Sequence, residues 1–590
     1  VFNTFMGSFS GYSNINGFNN TFVGDSTGYN NISGYFNTFL GTGCGHQNIA
    51  GNSNVFIGNR AGYNNTSGFR NIFIGHHAGF YAATGRQNVF LGSFAGYNST
   101  ETWGNINIGY LSGYSTSTGG SNTFVGARTG YFNTTGYSNT FVGIEAGYSL
   151  ETDCCNTFLG DHAGYLVKSG YNNVFLGAYS GYNLTGALEG NSNIFIGNNA
   201  GYNSTGGYNN IMMGYQSGYS NVLSYDNILI GTGSGYNNTE GNSNVFIGRS
   251  SGYSNTTGGD NVFIGTMSGN KNTTGRENVI IGWNAGISNT TSLGNVFVGA
   301  GSGNKNTTGY SNTFMGLHAG ENNLTSGENT IMGAWTADFD TLGIRNTLIG
   351  SQVARHLKSY GNTILGFNGG NSLVSGNGNV ILGAFAGGAL ISGYRNVFIG
   401  RSAGGQELGS NKLYIENTSA DSTGALIFGN FNDKRLRFNA NVGINANPTQ
   451  WENLNVEQVG DAADIRIAGE GNTFNYSSVF LGALGTTYKE WQINHRKSNS
   501  LYFTFYDGST YAHKMLLSSA GNLELDGSFT PKITNVYSVG NSSFRWTEVF
   551  AQNGVINTSD ARLKENIIGL NYGLSEILNL RPVSFFWKNS

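Results

Sequence analysis

Twenty-four copies of one motif, Asn-x-Phe-aliphatic-Gly-x-x-Ala/Ser-Gly-Tyr-x-Asn-Thr-Thr-Gly-x-x, run from Asn3 to the copy that begins at Asn396. The step is 17 residues, except for 20 between Asn173 and Asn193 and 16 between Asn346 and Asn362. So short a unit cannot close a core of its own. Each copy must bury its apolar side on the next, and the expected architecture is all-β: a parallel β-solenoid, or β-roll, of about 24 coils over residues 1–410.

With the opening asparagine as position 1, Gly fills position 5 in all 24 copies and position 9 in 22; Ala337 and Ala354 are the exceptions. Such regularity predicts positive φ or close chain approach at two corners of each coil. Between the corners, positions 2–4 read as a short strand. Position 3, Phe in 16 copies, then faces opposite to positions 2 and 4. Both faces are mostly apolar or Thr, and a strand apolar on both faces is covered on both. One cover is the coil interior; the simplest candidate for the other is an identical chain. Stacking at about 4.8 Å per coil gives a column of roughly 115 Å. The position-1 asparagines either form an amide ladder along it or serve as turn residues.

The remaining composition narrows the class. Gly numbers 94 and charged residues are 10% of the 590. Collagen is excluded because Gly does not recur every third residue, and disorder because aliphatic and aromatic residues recur in phase. A net charge of −3 offers no pull toward nucleic acid or an anionic membrane surface. No run of 18 apolar residues exists to span a bilayer. No signal peptide is visible, and the chain opens inside a repeat, as a fragment would. Cys44, Cys154 and Cys155 form neither a disulfide framework nor a metal-ligand spacing, and read as small core or surface residues.

Beyond the array, residues 411–556 lose the period. Strand-like runs separated by turn residues (Lys412-Leu-Tyr-Ile, Ala425-Leu-Ile-Phe, Leu501-Tyr-Phe-Thr-Phe, Lys514-Met-Leu-Leu) mark a β-rich connector. Residues 557–590 alone look helical, with Leu574, Ile577 and Leu578 at i, i+3, i+4 before Pro582.

The repeat resembles the head repeats of trimeric autotransporter adhesins, which form a left-handed parallel β-roll with three chains side by side. At the other end, Phe544-Arg-Trp546 and Asn557-Thr-Ser-Asp-Ala-Arg-Leu-Lys-Glu-Asn-Ile567 resemble the start of the intramolecular chaperone domain of phage tail fibres and tailspikes, the peptidase S74 family. The segments Asn411-Lys-Leu-Tyr-Ile-Glu-Asn-Thr and Asn441-Val-Gly-Ile-Asn are similar to tail-fibre connectors of phages and to surface proteins of Bacteroidota. The family resemblance implies a homotrimer and a self-cleaving Ser/Lys dyad at Ser559 and Lys564, with the cut just before Ser559. Only 32 residues follow Thr558, so the domain is expected to be incomplete here. Chemically, Lys564 would serve as base only if burial lowered its pKa; Asp560 and Glu565 oppose that by favouring the charged amine. Read from spacing alone, Ser559-Asp560 is a helix N-cap.

Other constellations offer less. Asp338 and Asp340, beside Trp335 in the most degenerate copy, are the best carboxylate pair for a glycan-cleaving shaft; the alternative is an exposed irregular loop. His76-His77 alone make no metal site. Triplets such as Asn133-Thr-Thr match the N-glycosylation pattern but arise from the turn sequence Asn-Thr-Thr-Gly. The Thr positions are too irregular for an ice-binding lattice. Position 10 is Tyr in thirteen copies from Tyr12 to Tyr253 and in none after. Tyr63, Tyr97, Tyr114, Tyr131, Tyr148, Tyr165 and Tyr182 lie in this row. They offer a glycan-contact ladder, each ring an apolar face with a hydroxyl, or else a column that packs within the coil or between chains.

The expectation is a homotrimeric structural fibre for host-cell attachment: a phage tail fibre or similar virion appendage, extracellular, meeting a surface glycan or protein receptor. No cofactor, metal or external substrate is expected. A bacterial cell-surface adhesin or extracellular filament is the main alternative, and a polysaccharide-degrading tailspike the third.

Overall fold

The computed structural model describes residues 2–185, 191–339, 343–439, 476–483, 489–496, 500–507, 509–527 and 543. The chain divides into two units, Val1–Ile444 and Asn445–Ser590. No residue described in either unit is helical, and the helix expected around Leu574–Leu578 lies outside the described residues.

The first unit is a parallel β-solenoid. Its 24 coils each contribute a three-residue strand, from β1 (Thr4–Met6) to β24 (Val397–Ile399). Each strand pairs in parallel with its neighbours, like position on like position, as in Val55↔Ile72, Phe56↔Phe73 and Ile57↔Ile74. The long step keeps that register (Val174↔Ile194), and so does the short one (Thr347↔Thr363). Both irregularities are absorbed outside the strands. Hydrogen bonds continue round the coil: Gly62 N–H donates to Ala78 O at 2.9 Å, Asn64 to Phe80 at 3.0 Å, Thr66 to Ala83 at 2.9 Å.

The interior follows from the alternation. From Phe22 onward the position-3 side chains point in and are fully buried, Phe5 of the end coil being 37% exposed, and Phe39, Phe56, Phe73 and Phe90 stack at 4.7–4.8 Å. Asn107 takes the Phe place in one coil, and the apolar core falls into two clusters on either side of it. The position-1 asparagines form the amide ladder. Asn54 Oδ1 accepts from Asn71 N–H at 2.9 Å and from Asn71 Nδ2 at 3.2 Å, while Asn54 Nδ2 donates to Gly68 O at 2.8 Å. That last bond ties the two ends of one coil together.

Position 12, read as part of a turn, is instead a second buried column. Asn255 Nδ2 donates to Asn238 Oδ1 at 2.6 Å and Asn272 Nδ2 to Asn255 Oδ1 at 2.7 Å. Elsewhere the column turns apolar, through Leu150, Val167 and Leu184, and again through Leu357, Leu373 and Leu390. A buried amide is hydrogen-bonded most readily by an amide above and below, and asparagines and aliphatics each run in blocks, with Asn133 isolated between Thr116 and Leu150.

Each coil has four positive-φ points, not two. Positions 7 and 17 join positions 5 and 9, and they hold ordinary residues such as Arg60 (φ 57°), His77 (56°), Arg70 (57°) and Gln87 (56°). Space explains the difference. A Cβ on Gly58 would lie 2.6 Å from the Gly75 carbonyl oxygen, and one on Gly62 would lie 2.5 Å from the Phe56 ring. On Gly43, at position 7, it would meet only side chains at 3.4 Å or more. The two alanines at position 9, Ala337 and Ala354, stand in coils whose position 3 is Ile331 and Leu348 rather than Phe. Gly62→Ala is therefore expected to destabilise its coil by about 2–5 kcal/mol, from a left-handed penalty of about 1–2 and overpacking of about 1–3. Combining it with Phe56→Leu should show favourable coupling in a double-mutant cycle read by hydrogen exchange; purely additive losses would contradict this account.

The stack runs one rung past the last repeat. β25 (Lys412–Ile415) pairs in parallel with β24, and β26 (Ile427–Asn430) and β27 (Arg435–Phe438) then follow antiparallel. In the second unit, β28 (Tyr476–Ala483), β29 (Lys489–Arg496), β30 (Leu501–Tyr506), β31 (Tyr511–Leu517) and β32 (Leu523–Leu525) form an antiparallel meander.

Candidate functional site

Two outward columns of the solenoid carry chemistry. The first is the outer face of the strands. Position 2 is Thr, Val or Ile in all 24 rungs, and position 4 is Val, Ile, Leu or Met. No charge interrupts it, and its side chains are half-exposed, with Ile72 and Ile74 at 39% and 37%. A strip about 10 Å wide along a roughly 115 Å column amounts to roughly 1,000 Å², well above the few hundred Å² of contiguous apolar surface usual on a monomer.

The second is the position-10 column. Tyr12, Tyr29, His46, Tyr63, Phe80 and Tyr97 stack in sequence at 4.8–5.3 Å. Tyr114, Tyr131, Tyr148, Tyr165 and Tyr182 continue at 5.0–5.2 Å. The 20-residue step does not break the row, which goes on through Tyr202, Tyr219 and Tyr236 to Tyr253. Past Tyr12 the rings are half-buried. Because each internal ring is sandwiched between its neighbours, a ligand approaching from the side meets ring edges and phenolic hydroxyls, not free ring faces.

Burial, with neighbouring phenols second, raises the pKa values of Tyr97, Tyr114, Tyr202 and Tyr236, and burial followed by the Glu145 carboxylate raises that of Tyr165. An acid whose folded pKa is raised contributes stability that is complete below the unfolded value, about 10 for Tyr, and lost as pH rises through the folded values. Phenolate absorbance is expected to appear at higher pH than in the denatured chain, with the solenoid losing stability over that range. Coincident titration curves for folded and denatured protein would contradict the stack's effect.

After Tyr253 no ring occupies this column, and polar side chains take most of its places up to Asn371. Asn270 Nδ2 donates to Ser250 O at 3.0 Å. Asp338 and Arg355, both at position 10, form a two-pronged ion pair at 2.8 and 2.7 Å, with the guanidinium 3.9 Å from the centre of the Phe339 ring. The expectation of an exposed loop at Asp338 is thereby corrected. Its side chain is 3% exposed and locked to Arg355, a structural substitute for stacked rings. Asp340 lies outside the described residues.

Asn133 and the other position-12 asparagines of the Asn-x-Thr triplets are fully buried, so these asparagines face the coil interior, while threonines that follow them, such as Thr135, are exposed. Cys44 is buried, which pushes its thiol pKa up, and donates to Phe56 O. Cys154 and Cys155 sit together at a coil corner, Sγ to Sγ 2.8 Å. Among the described residues no three His, Cys, Asp or Glu side chains gather as a metal site. A polar notch of about 160 Å³ over Gly259 is lined by Tyr225, Asn242, Asp260 and Arg276, among others.

Sequence reasoning found the tyrosine row but not the second asparagine column. The signal was present: the Asn-Thr-Thr-Gly asparagine alternates along the chain with Leu and Val, which a solvent turn would not favour. Ser559 and Lys564, with Asp560 and Glu565, lie outside the described residues.

One family model, described as chaperone of endosialidase (peptidase S74), matches residues 559–590. No curated protein and no solved structure matches the chain.

Proposed function

We propose that this chain is the shaft and connector of a tail-fibre-like structural protein: a self-assembling extracellular fibre, carried on a virion, that attaches to a host cell. The observation that carries the reading is an uncharged apolar strip along all 24 rungs, left uncovered by the chain itself. Such a strip needs a partner of matching length, and another copy of the chain supplies one. The chaperone-type match at 559–590 supports the same reading, because a chaperone segment following a long solenoid suits a fibre whose chains must be brought together. Three copies side by side, as in the adhesin heads the repeat resembles, would bury the strips around one axis. The position-10 hydroxyls and ring edges then remain a surface for a host glycan or protein.

Binding of the labelled chain to a panel of bacterial cells tests attachment. Saturable binding to at least one cell type is expected, abolished by periodate if the receptor is a glycan and by protease if it is a protein. Binding nowhere above that of an unrelated solenoid overturns the reading. Self-cleavage is a separable part of it. Ser559→Ala is expected to keep joined a fragment that the parent sheds, as seen on a denaturing gel; identical band patterns would remove the dyad.

A further inference from the structure

The apolar strip is not uniform. Position 2 is Thr in ten of the 24 rungs, and these fall in blocks: Thr4, Thr21 and Thr38; then Thr123, Thr140 and Thr157; then Thr313, Thr330, Thr347 and Thr363. The blocks are separated by four and by eight rungs of Val or Ile, and two more Val rungs close the array. None of the ten hydroxyls donates a hydrogen bond within the described residues, although threonines elsewhere in the coil do, as Thr256 Oγ1 does to Thr273 O at 3.0 Å.

We propose that the threonine blocks are a register code. They align copies of this chain in parallel and at equal height about an axis along the stack, with the position-2 columns innermost. The inference rests on the self-assembly proposed above and adds the alignment to it. A second copy is the occupant the strip fits. Its roughly 1,000 Å² per chain exceeds the about 800 Å² per partner of a standard stable interface, and it holds no charge to repel an identical strip.

Chemistry then selects the alignment. A buried hydroxyl facing an aliphatic side chain is left unpaired, whereas facing another Thr it can both donate and accept. In register, every Thr rung meets its own kind. An antiparallel pairing of the same columns sets Thr against Val or Ile in sixteen of the 24 rungs. A slip of a single rung mismatches five of the 23 rungs that still face each other, one at each block boundary. A strip of Val alone would slide by one rung with nothing but lost overlap, because the stack repeats every 4.8 Å or so.

The test uses the full chain with Cys154 and Cys155 replaced by Ser. In this background Thr330→Cys copies are expected to join by a disulfide under mild oxidation with diamide, since that bond needs Cβ atoms about 3.5–4.5 Å apart. Met332→Cys, on the outer column of the same rung, should join far less. When Thr330→Cys chains are co-assembled with differently tagged Thr347→Cys chains, mixed disulfides should be at least tenfold rarer than like-with-like ones. Changing all ten position-2 threonines to Val should keep the assembly mass and let copies slip, seen as mixed disulfides between Ile228→Cys and Val245→Cys chains. An assembled chain in which Thr330→Cys fails to join, or joins equally across rungs, overturns the register code and leaves self-assembly standing. A chain of monomeric mass overturns both.

Discussion

Asn71→Leu is expected to cost several kcal/mol at its coil, while Asn133→Leu is expected to stabilise. Both residues are fully buried asparagines, and the contrast comes from their partners. Asn71 Oδ1 accepts from Asn88 N–H at 3.0 Å and from Asn88 Nδ2 at 3.1 Å, and its Nδ2 donates to Gly85 O at 2.8 Å. Leucine would leave a backbone N–H and a backbone carbonyl buried without partners. At about 1–3 kcal/mol for each orphaned group, the loss is about 2–6 kcal/mol. Neither amide atom of Asn133 has a hydrogen-bond partner among the described residues, and the next coil up already holds Leu150 at that position. Leucine there extends an apolar run through Val167 and Leu184 and removes an unpaired amide, a gain of about 1–3 kcal/mol. Hydrogen exchange resolved along the chain is the measurement to use, because in a stack coupled only to nearest neighbours one weak rung opens locally. Equal protection in the two variants would refute the ladder account.

Arginine on two adjacent outer rungs should have the larger effect on assembly and a small one on the coil. In Ile247→Arg with Ile264→Arg, both side chains lie on the outward strip. A buried charge without a counterion costs about 3–5 kcal/mol, each copy would bring two, and they would sit one above the other about 4.8 Å apart. On an isolated chain the same arginines stand in water. Light scattering is expected to show the variant at the 62.8 kDa mass of one chain and the parent at a multiple of it, with matching circular dichroism. A parent already at one-chain mass, or a variant whose mass does not fall, would show that the strip is not where copies meet.

The fold was readable from the repeat because a 17-residue period leaves so few ways to bury an apolar triplet. The opposition of the Phe column to positions 2 and 4 and the two glycine corners follow from spacing, while the face that turns inward and the choice between ladder and turn at the position-1 asparagines do not. The positive-φ points at positions 7 and 17 were not legible, because residue type reports them only when glycine is compulsory. Arg60 and Gln87 adopt the same left-handed backbone as Gly62, and at glycines in their two positions, Gly43 and Gly104, a Cβ would meet nothing closer than 3.4 and 3.6 Å. The tyrosine row was legible as a row. Whether its rings faced solvent or one another depended on how far each ring leans over the next coil.

Periodicity in one dimension thus sufficed for the coil, its stacking and the opposition of the strand's two faces, since those are consequences of chain geometry at about 4.8 Å spacing. It did not reveal that the Asn-Thr-Thr asparagine points inward, that Asp338 is sealed under Arg355, or that the sugar-sized faces of the tyrosines are covered by other tyrosines. Those outcomes turn on contacts between neighbouring coils, where a side chain's surroundings are set by residues 17 positions away and not by the ones beside it.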